Sequence, residues 1–263
     1  MYVNINVKIY STEEQLRVYH KQALFFTHLT AKTVPKGLHC LTLRLSTEYY
    51  SINSSTQQFP NQENLDDPNL FHYALFSDNV LATTVVVNST VTNANEPSKH
   101  AFHIVTDKLN YAAMRMWFLV NPPEMATIQV QNIDEFTWLN ESYSPLSKVV
   151  FLDDDDIVVQ KDLSGLWSID LKGKVNGAND ERQLWKLGTL PPGLITFWKR
   201  VCALEKSWHV LGLRYNPSMS QKEIERTAVI HYNGNLKPWL EMGIEGTGAG
   251  MWTMISRICG IAI

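Results

Sequence analysis

Residues 147–163 of the chain read SKVVFLDDDDIVVQKDL, and this stretch decides the predicted fold. Val149 to Leu152 is a short apolar run rich in β-branched residues, which is typical of a buried strand. Four aspartates, Asp153–Asp156, follow at the carboxyl end of that strand. Because ligands of open α/β sheets bind at the carboxyl ends of the strands, we expect the aspartates to face a ligand.

The aspartate run predicts a divalent metal site. Adjacent carboxylates repel each other and are costly to bury without a partner, so a cation is the simplest partner. Carboxylate oxygens suit Mg²⁺ or Mn²⁺, ions that commonly neutralise the phosphates of a substrate. A solvated acidic turn is the alternative. The apolar segments Val149–Leu152 and Ile157–Val159 disfavour it, since a solvated charge run rarely stands between two core segments.

Length, composition and charge exclude several classes of protein. The 263 residues, with a hydrophobic content of 44%, suffice for one sizeable core or a domain with a short extension. The net charge of -3 and the dispersed basic residues disfavour nucleic acid and a membrane surface as partners. The 3 cysteines are too few and too scattered for a disulfide framework or a zinc site. We find neither a signal peptide nor about 20 consecutive apolar residues, so we expect no targeting anchor in this sequence.

The alternation of strands and helices after residue 70 predicts an α/β fold. Strands are predicted at Tyr73–Phe76, Phe102–Val105 and Ala126–Ile133, with helices at Val80–Val87 and Tyr111–Val120 between them. This order implies parallel βαβ units in a Rossmann-like, nucleotide-binding mixed sheet with flanking helices.

We divide the chain into three parts. Residues 1–70 are predicted as a helical stem with its helix at 11–33, followed at 46–70 by a polar linker or surface excursion. The helix at 11–33 can equally pack on its own domain. Residues 71–244 form the sheet domain, and residues 245–263 form a divergent tail.

Polar side chains are also expected at the end of the first predicted strand. Ser77, Asp78 and Asn79 follow Phe76, and Asp78 or Asn79 caps the helix that begins at Val80. Asp78 and Asn79 are therefore candidate nucleotide-binding residues at the same sheet edge as the aspartate run.

A second candidate constellation is HYNGNLKPW at residues 231–239. His231 can bind a metal through a neutral imidazole nitrogen. Gly234 permits close approach of the backbone to a phosphate, and Lys237 is a point charge suited to a diphosphate. A lone histidine in a loop is more often structural. Together with the aspartate run, however, these residues resemble a split metal–diphosphate site.

These motifs resemble the plant galacturonosyltransferases, which belong to the glycogenin-like retaining glycosyltransferases. The resemblance covers about residues 11–244. Its motifs are YALFSDNVLA at 73–82, HIVTD at 103–107, FLDDD at 151–155, LWKLGTLPPGL at 184–194 and HYNGNLKPW at 231–239.

The resemblance implies a GT-A fold and a polygalacturonate 4-α-galacturonosyltransferase activity. The donor is then UDP-galacturonic acid, and the acceptor is pectic homogalacturonan. Mn²⁺ is expected on an Asp-x-Asp pair from the aspartate run and on His231, with Gly234 and Lys237 near the diphosphate. Asp153, Asp155 and Lys237 are the expected catalytic residues.

The expected setting is the Golgi lumen, as part of a type II membrane protein in pectin biosynthesis. A homologous galacturonosyltransferase is an expected protein partner. Three Asn-x-Ser/Thr sequons, at Asn53, Asn88 and Asn140, weakly favour a secretory compartment.

The register of the metal pair has two solutions. Counted from the strand before the run, the pair is Asp153 and Asp155; counted back from Ile157, it is Asp154 and Asp156. Because alternate residues point to opposite faces, a slip of one residue exchanges the two pairs. We favour Asp153 and Asp155, since the preceding strand fixes the exit of the chain more firmly.

The chain departs from the family at four places. Segments of the family are missing between Ser144 and Lys148 and after Asn179, the run has four aspartates instead of three, and the tail after Gly243 differs. The missing segments help to form the donor and acceptor sites in the family. We therefore expect little turnover by this chain. A non-catalytic homologue that associates with an active galacturonosyltransferase is the alternative.

Overall fold

The computed structural model describes residues 40–135, 148–152, 157–172, 176–179, 201–211 and 220–232. The aspartate run, Gly234, Lys237, the helix predicted at 11–33 and the tail after Gly243 lie outside these residues. No helix within the described ranges is long and apolar enough to cross a bilayer.

The described residues form helices and strands in alternation, joined by short 3₁₀ turns. The helices are α1 (Leu41–Ser51), α2 (Val80–Thr92), α3 (Tyr111–Val120) and α4 (Gln221–Arg226). The strands are β1 (Phe71–Phe76), β2 (His100–Thr106), β3 (Thr127–Asn132), β4 (Val149–Phe151), β5 (Ile157–Val159), β6 (Asn176–Asn179), β7 (Val201–Leu204), β8 (His209–Leu211) and β9 (Val229–His231).

The main sheet is parallel, with the strand order β3-β2-β1-β4. Helix α2 connects β1 to β2, and α3 connects β2 to β3, so the predicted βαβ units are confirmed. A second sheet has the order β5-β9-β8, in which β5 is antiparallel to β9 and β8 is parallel to it. Strands β6 and β7 form a parallel pair.

Helix α2 forms although its sequence, VLATTVVVNSTVT, is rich in β-branched residues that favour strands. Asn79 caps its first turn, as predicted for Asp78 or Asn79. The hydroxyls of Thr84 and Thr90 donate to carbonyls one turn earlier, at 2.7 Å each. Eleven of the thirteen residues are buried, so tertiary packing outweighs the weak helix propensity.

Alternate residues of β1 and β2 fill the apolar core. Tyr73, Leu75, Phe102 and Ile104 are fully buried, in one cluster with Met114 of α3. The rings of Tyr73 and Phe102 are stacked, with centroids 4.9 Å apart. Burying each such side chain contributes about 1.5–3 kcal/mol, so these residues fix which face of the sheet carries the helices.

Residues 46–70, predicted as a polar linker, are instead partly helical and packed. Helix α1 extends to Ser51, and Tyr49, Phe59 and Leu65 are buried. The Arg115 side chain of α3 donates to the hydroxyl of Tyr49 at 2.9 Å and lies over the Phe59 ring. The many Ser, Asn and Gln residues of this segment obscure the spacing of its buried hydrophobic residues. The division of the chain at residue 70 stays a prediction.

The strand predicted at Val149–Leu152 exists as β4, but it is not buried throughout. Leu152 is 5% exposed, whereas Phe151 is 60% exposed. Strand β4 stands at the end of the order β3-β2-β1-β4, so within the described sheet it has a neighbour on one side only. The expectation of a fully buried strand was therefore wrong for Phe151.

The side chain of Lys148 ties the start of β4 to the chain that follows β5. Its ammonium group donates to the carbonyls of Leu166, Trp167 and Ile169 at 3.4, 2.8 and 3.1 Å. These carbonyls lie in and just after the 3₁₀ turn Ser164–Ser168. The two ends of the stretch that encloses the aspartate run are thus held together.

Strand β5 is bonded on both edges. It pairs with β9 on one side. On the other side, the amide of Val159 donates to the hydroxyl of Ser89 at 3.1 Å, and the Asn93 amide group donates to the Val159 carbonyl at 3.1 Å. Because Ser89 lies in α2 and Asn93 is the residue that follows it, this helix and its carboxyl end fix β5 beside the main sheet.

Gln160 and Lys161 hold the carboxyl end of α4. The Gln160 amide group donates to the carbonyls of Ile224 and Thr227 at 2.9 and 3.2 Å. The Lys161 ammonium group donates to the carbonyl of Arg226, where a cation also suits the helix dipole. Strand β9 starts directly after these residues, so the segment after β5 sets its position.

We expect Gln160→Ala to lower the free energy of unfolding by about 1–3 kcal/mol, because two carbonyls lose their donor. Urea denaturation of the purified chain measures this loss. Gln58→Ala, at an exposed glutamine, is the matched control and should change stability by about 0.5 kcal/mol or less. Equal stability of the two variants would contradict the role given to Gln160.

His100 provides a second test of the fold. The residue is fully buried, neither ring nitrogen has a hydrogen-bond partner, and its ring stacks on Tyr73 at 5.4 Å. Burial lowers the pKa of His100 below its ordinary 6.5, and the charges of Asp162 and Glu96 offset part of this effect. Below the ordinary pKa the unfolded chain takes up a proton that the folded chain does not. Stability therefore falls as the pH drops below neutrality.

We expect His100→Phe to raise the free energy of unfolding by about 1–3 kcal/mol, because it removes two unsatisfied buried nitrogens and keeps the ring. It should also reduce the loss of stability between neutral and mildly acidic pH. Burial also lowers the pKa of His103, so both proteins should still lose some stability at mildly acidic pH. Urea denaturation across this pH range would reject the interpretation if the two proteins lost stability in parallel.

Candidate metal and nucleotide site

The chain enters the aspartate run from the carboxyl edge of the main sheet. The amide of Leu152, the residue before the run, donates to the Ala74 carbonyl of β1 at 3.0 Å. Because β1 and β4 are parallel neighbours, the residues that follow β1, Asp78 and Asn79, stand at the same edge. The structure thereby brings the two predicted polar strand ends together.

The chain leaves the aspartate run opposite His231. Ile157, the residue after the run, is the register partner of His231 in the antiparallel pair of β5 and β9. Ile157 is 3% exposed, and His231 is half-buried. The histidine expected as a metal ligand therefore lies beside the residue that follows the run, although the two are far apart in sequence.

Asp78 and Asn79 differ in their surroundings. Asp78 is exposed. The side-chain oxygen of Asn79 accepts hydrogen bonds from the amides of Leu81 and Ala82 at 3.1 and 3.2 Å, so this oxygen is used by the helix cap. Nucleotide binding by these two residues stays a prediction. For Asn79, the side-chain amide nitrogen would make the contact.

His209 is a candidate site residue that the sequence does not reveal. Its Nε2 lies 3.2 Å from Nδ1 of His231, and the ring centroids are 5.3 Å apart. Strands β8 and β9 run parallel, with His209 opposite Val229 and Leu211 opposite His231. The contact is thus diagonal across two short strands. The segments HVL at 209–211 and VIH at 229–231 are similar in composition, but this similarity does not predict that the two segments pair.

His231 together with carboxylates of the aspartate run would fit Mn²⁺. Carboxylates suit Mg²⁺, Ca²⁺ and Mn²⁺, and an imidazole added to them favours a transition metal over Mg²⁺ and Ca²⁺. Within the described ranges, no group of three His, Cys, Asp or Glu side chains could hold a metal ion. The carboxylates predicted to complete a metal site at His231, Asp153–Asp156, lie outside these ranges, and the structure describes their neighbours Leu152 and Ile157.

The chain is similar to known glycosyltransferases. The family model described as Glycosyl transferase family 8 matches residues 145–183 and 178–243. The chain is 51% identical to Probable galacturonosyltransferase 4 of Arabidopsis thaliana, over 93% of this chain and 57% of that protein. It is 34% identical to Probable galacturonosyltransferase 10 of the same plant, over 93% of this chain and 67% of that protein. The chain thus spans less than two thirds of the length of galacturonosyltransferase 4.

The fold is also that of solved glycosyltransferases. The apo form of GlyE from Streptococcus pneumoniae matches with a TM-score of 0.52 and 14% identity, over 73% of this chain and 63% of that chain. This likeness concerns the fold alone. It confirms the predicted α/β fold of GT-A type, with a parallel central sheet and flanking helices.

The alignment with galacturonosyltransferase 4 is 355 positions long and takes in 93% of the 263 residues of the chain, so parts of that relative have no counterpart in this chain. The two parts of the family match overlap at residues 178–183. The places of the two gaps, before Lys148 and after Asn179, stay predictions. By identity and coverage, the chain belongs to glycosyl transferase family 8 and, within it, to the plant galacturonosyltransferases.

Proposed function

We propose that this chain binds UDP-galacturonic acid together with Mn²⁺ and carries the chemistry of galacturonosyl transfer to homogalacturonan, with retention at the anomeric carbon. The pairing of Ile157 with His231 is the observation that carries the proposal, because it places His231 beside the residue that follows the aspartate run. The relatives named galacturonosyltransferases favour a transferase over a non-catalytic partner.

Different residues would contact the metal, the diphosphate and the nucleotide of the donor. Asp153, Asp155 and His231 would hold the metal, which supplies Lewis-acid stabilisation of the departing diphosphate. Lys237 would add a positive charge where negative charge develops on the leaving group. Gly234 would let the backbone approach the phosphates closely. Asp78, exposed at the same sheet edge, would contact the nucleotide.

The Golgi lumen is the compartment proposed for this chemistry. Among the sequons that the structure describes, Asn53 is exposed and precedes a short 3₁₀ turn. Asn88 instead lies in α2, and the next two residues, Ser89 and Thr90, are fully buried. A glycan is thus compatible with Asn53 and not with the packing of α2.

The metal proposal is tested by single Asp→Asn substitutions in the aspartate run. We expect the substitutions at Asp153 and Asp155 to weaken Mn²⁺-dependent binding of UDP more than those at Asp154 and Asp156. This ranking takes its register from the strand before the run; counted back from β5, the pair would be Asp154 and Asp156. Calorimetric titration of UDP with Mn²⁺ and with EDTA measures this.

The wild-type chain in EDTA is the control, because it removes the metal without changing the protein. The opposite ranking would select Asp154 and Asp156 as the pair. Equal affinity for UDP with Mn²⁺ and with EDTA would reject the metal site.

Turnover should be low in the chain as it stands. Metal and diphosphate contacts bind the donor in the ground state and in the transition state alike, so alone they support binding more than catalysis. The segments missing before Lys148 and after Asn179 would orient the sugar and the acceptor. Loss of that orientation can forfeit about 7–11 kcal/mol of barrier lowering in favourable cases.

We expect a version with both segments restored from galacturonosyltransferase 4 to transfer galacturonic acid to oligogalacturonides at least about 100-fold faster than the chain itself. Release of UDP from UDP-galacturonic acid, with and without acceptor, measures this. Versions with one segment restored show which of the two matters. Equal turnover of the chain and the fully restored version would show that the segments are dispensable.

A further inference from the structure

The two histidines at the edge of the second sheet are close enough to share a proton. Nε2 of His209 and Nδ1 of His231 are 3.2 Å apart, and the two ring planes are inclined by 56°. One of these nitrogens must carry the hydrogen, and the other must accept it. The choice between the two decides which nitrogen of His231 carries a lone pair.

We propose that His209 positions His231 for metal binding, which rests on the proposed role of His231 as a ligand. His209 accepts the Nδ1–H of His231 through its own Nε2. This hydrogen bond fixes the tautomer of His231 with its lone pair on Nε2 and restricts rotation of the ring. Nε2 of His231 is then the atom that binds Mn²⁺. Metal-binding histidines commonly donate their other nitrogen to such an acceptor.

The backbone around His209 is rigidly held. The amide of Trp208 donates to the Glu205 carbonyl at 3.0 Å, and the amide of Val229 donates to the Trp208 carbonyl at 3.0 Å. The amide of Ala228 donates to the Ser207 carbonyl at 2.9 Å. His209 therefore enters β8 from a closed turn that is already bonded to β9.

Packing on the neighbouring side chain adds to this support. The Trp208 ring lies against Gly165, where a Cβ atom would come within 2.8 Å of the ring. A fixed ring at Trp208 leaves the backbone of His209 little freedom. The acceptor for His231 is thus supplied by a preformed element and needs no ligand to assemble it.

A direct ligand role for His209 is the competing explanation. The two roles predict different results for a glutamine at this position. The side chain of Gln reaches as far as Nε2 of histidine and offers an amide oxygen as acceptor, so it preserves positioning. Asn ends one methylene earlier and does not reach. Leu fills the space without an acceptor.

The experiment titrates the full chain with Mn²⁺ alone and follows free Mn²⁺ by electron paramagnetic resonance. The variants are His231→Ala, His209→Gln, His209→Asn and His209→Leu. We expect His231→Ala to weaken Mn²⁺ binding most. His209→Leu and His209→Asn should weaken it by about 10-fold or more, and His209→Gln should stay close to wild type.

Each outcome bears on one of the two assignments. Unchanged binding in His209→Leu overturns the positioning role, and loss in His209→Gln as large as in His231→Ala shows a direct ligand instead. Unchanged binding in His231→Ala rejects the metal role of His231 and the proposal with it. Circular dichroism checks folding. If the leucine variant does not fold, the comparison of Gln with Asn, which differ by one methylene, decides the question.

Discussion

The antiparallel pairing of Ile157–Val159 with Val229–His231 is the interaction on which the candidate site depends. It joins the end of the aspartate run to the histidine, and α2 supports it from the other side through Ser89 and Asn93. A buried backbone group without a partner costs about 1–3 kcal/mol, so a strand satisfied on both edges resists displacement. The exit of the run is therefore as firmly placed as its entry from β4.

The side chains that follow β5 bond to neighbouring elements of the fold. Gln160 and Lys161 follow the acidic run closely, yet their side chains bind carbonyls at the end of α4. Asp162 accepts a hydrogen bond from the side chain of Asn95, just beyond α2, at 3.1 Å. The side chains that follow β5 therefore support α4 and β9.

Local patterns predicted the elements of the main sheet well. Strands β1, β2 and β3 and helices α2 and α3 follow from hydrophobic spacing and from turn residues within each segment. The packing of α1, the exposure of Phe151 and the contact of His209 with His231 depend on partners distant in sequence, which spacing cannot show. The same holds for the candidate site. The end of a strand predicts that polar groups gather there, but it does not predict that Asn79 uses its side-chain oxygen to cap a helix.

Within the part of the sheet that the structure describes, the edge position of β4 has a consequence for changes in chain length. Only three residue pairs join β4 to β1, whereas six join β1 to β2 and six join β2 to β3. A change in chain length just before β4 therefore perturbs the periphery of the sheet and leaves its centre intact. An insertion or a deletion before β4 can then change this flank independently of β1, β2 and β3, whose side chains build the apolar core.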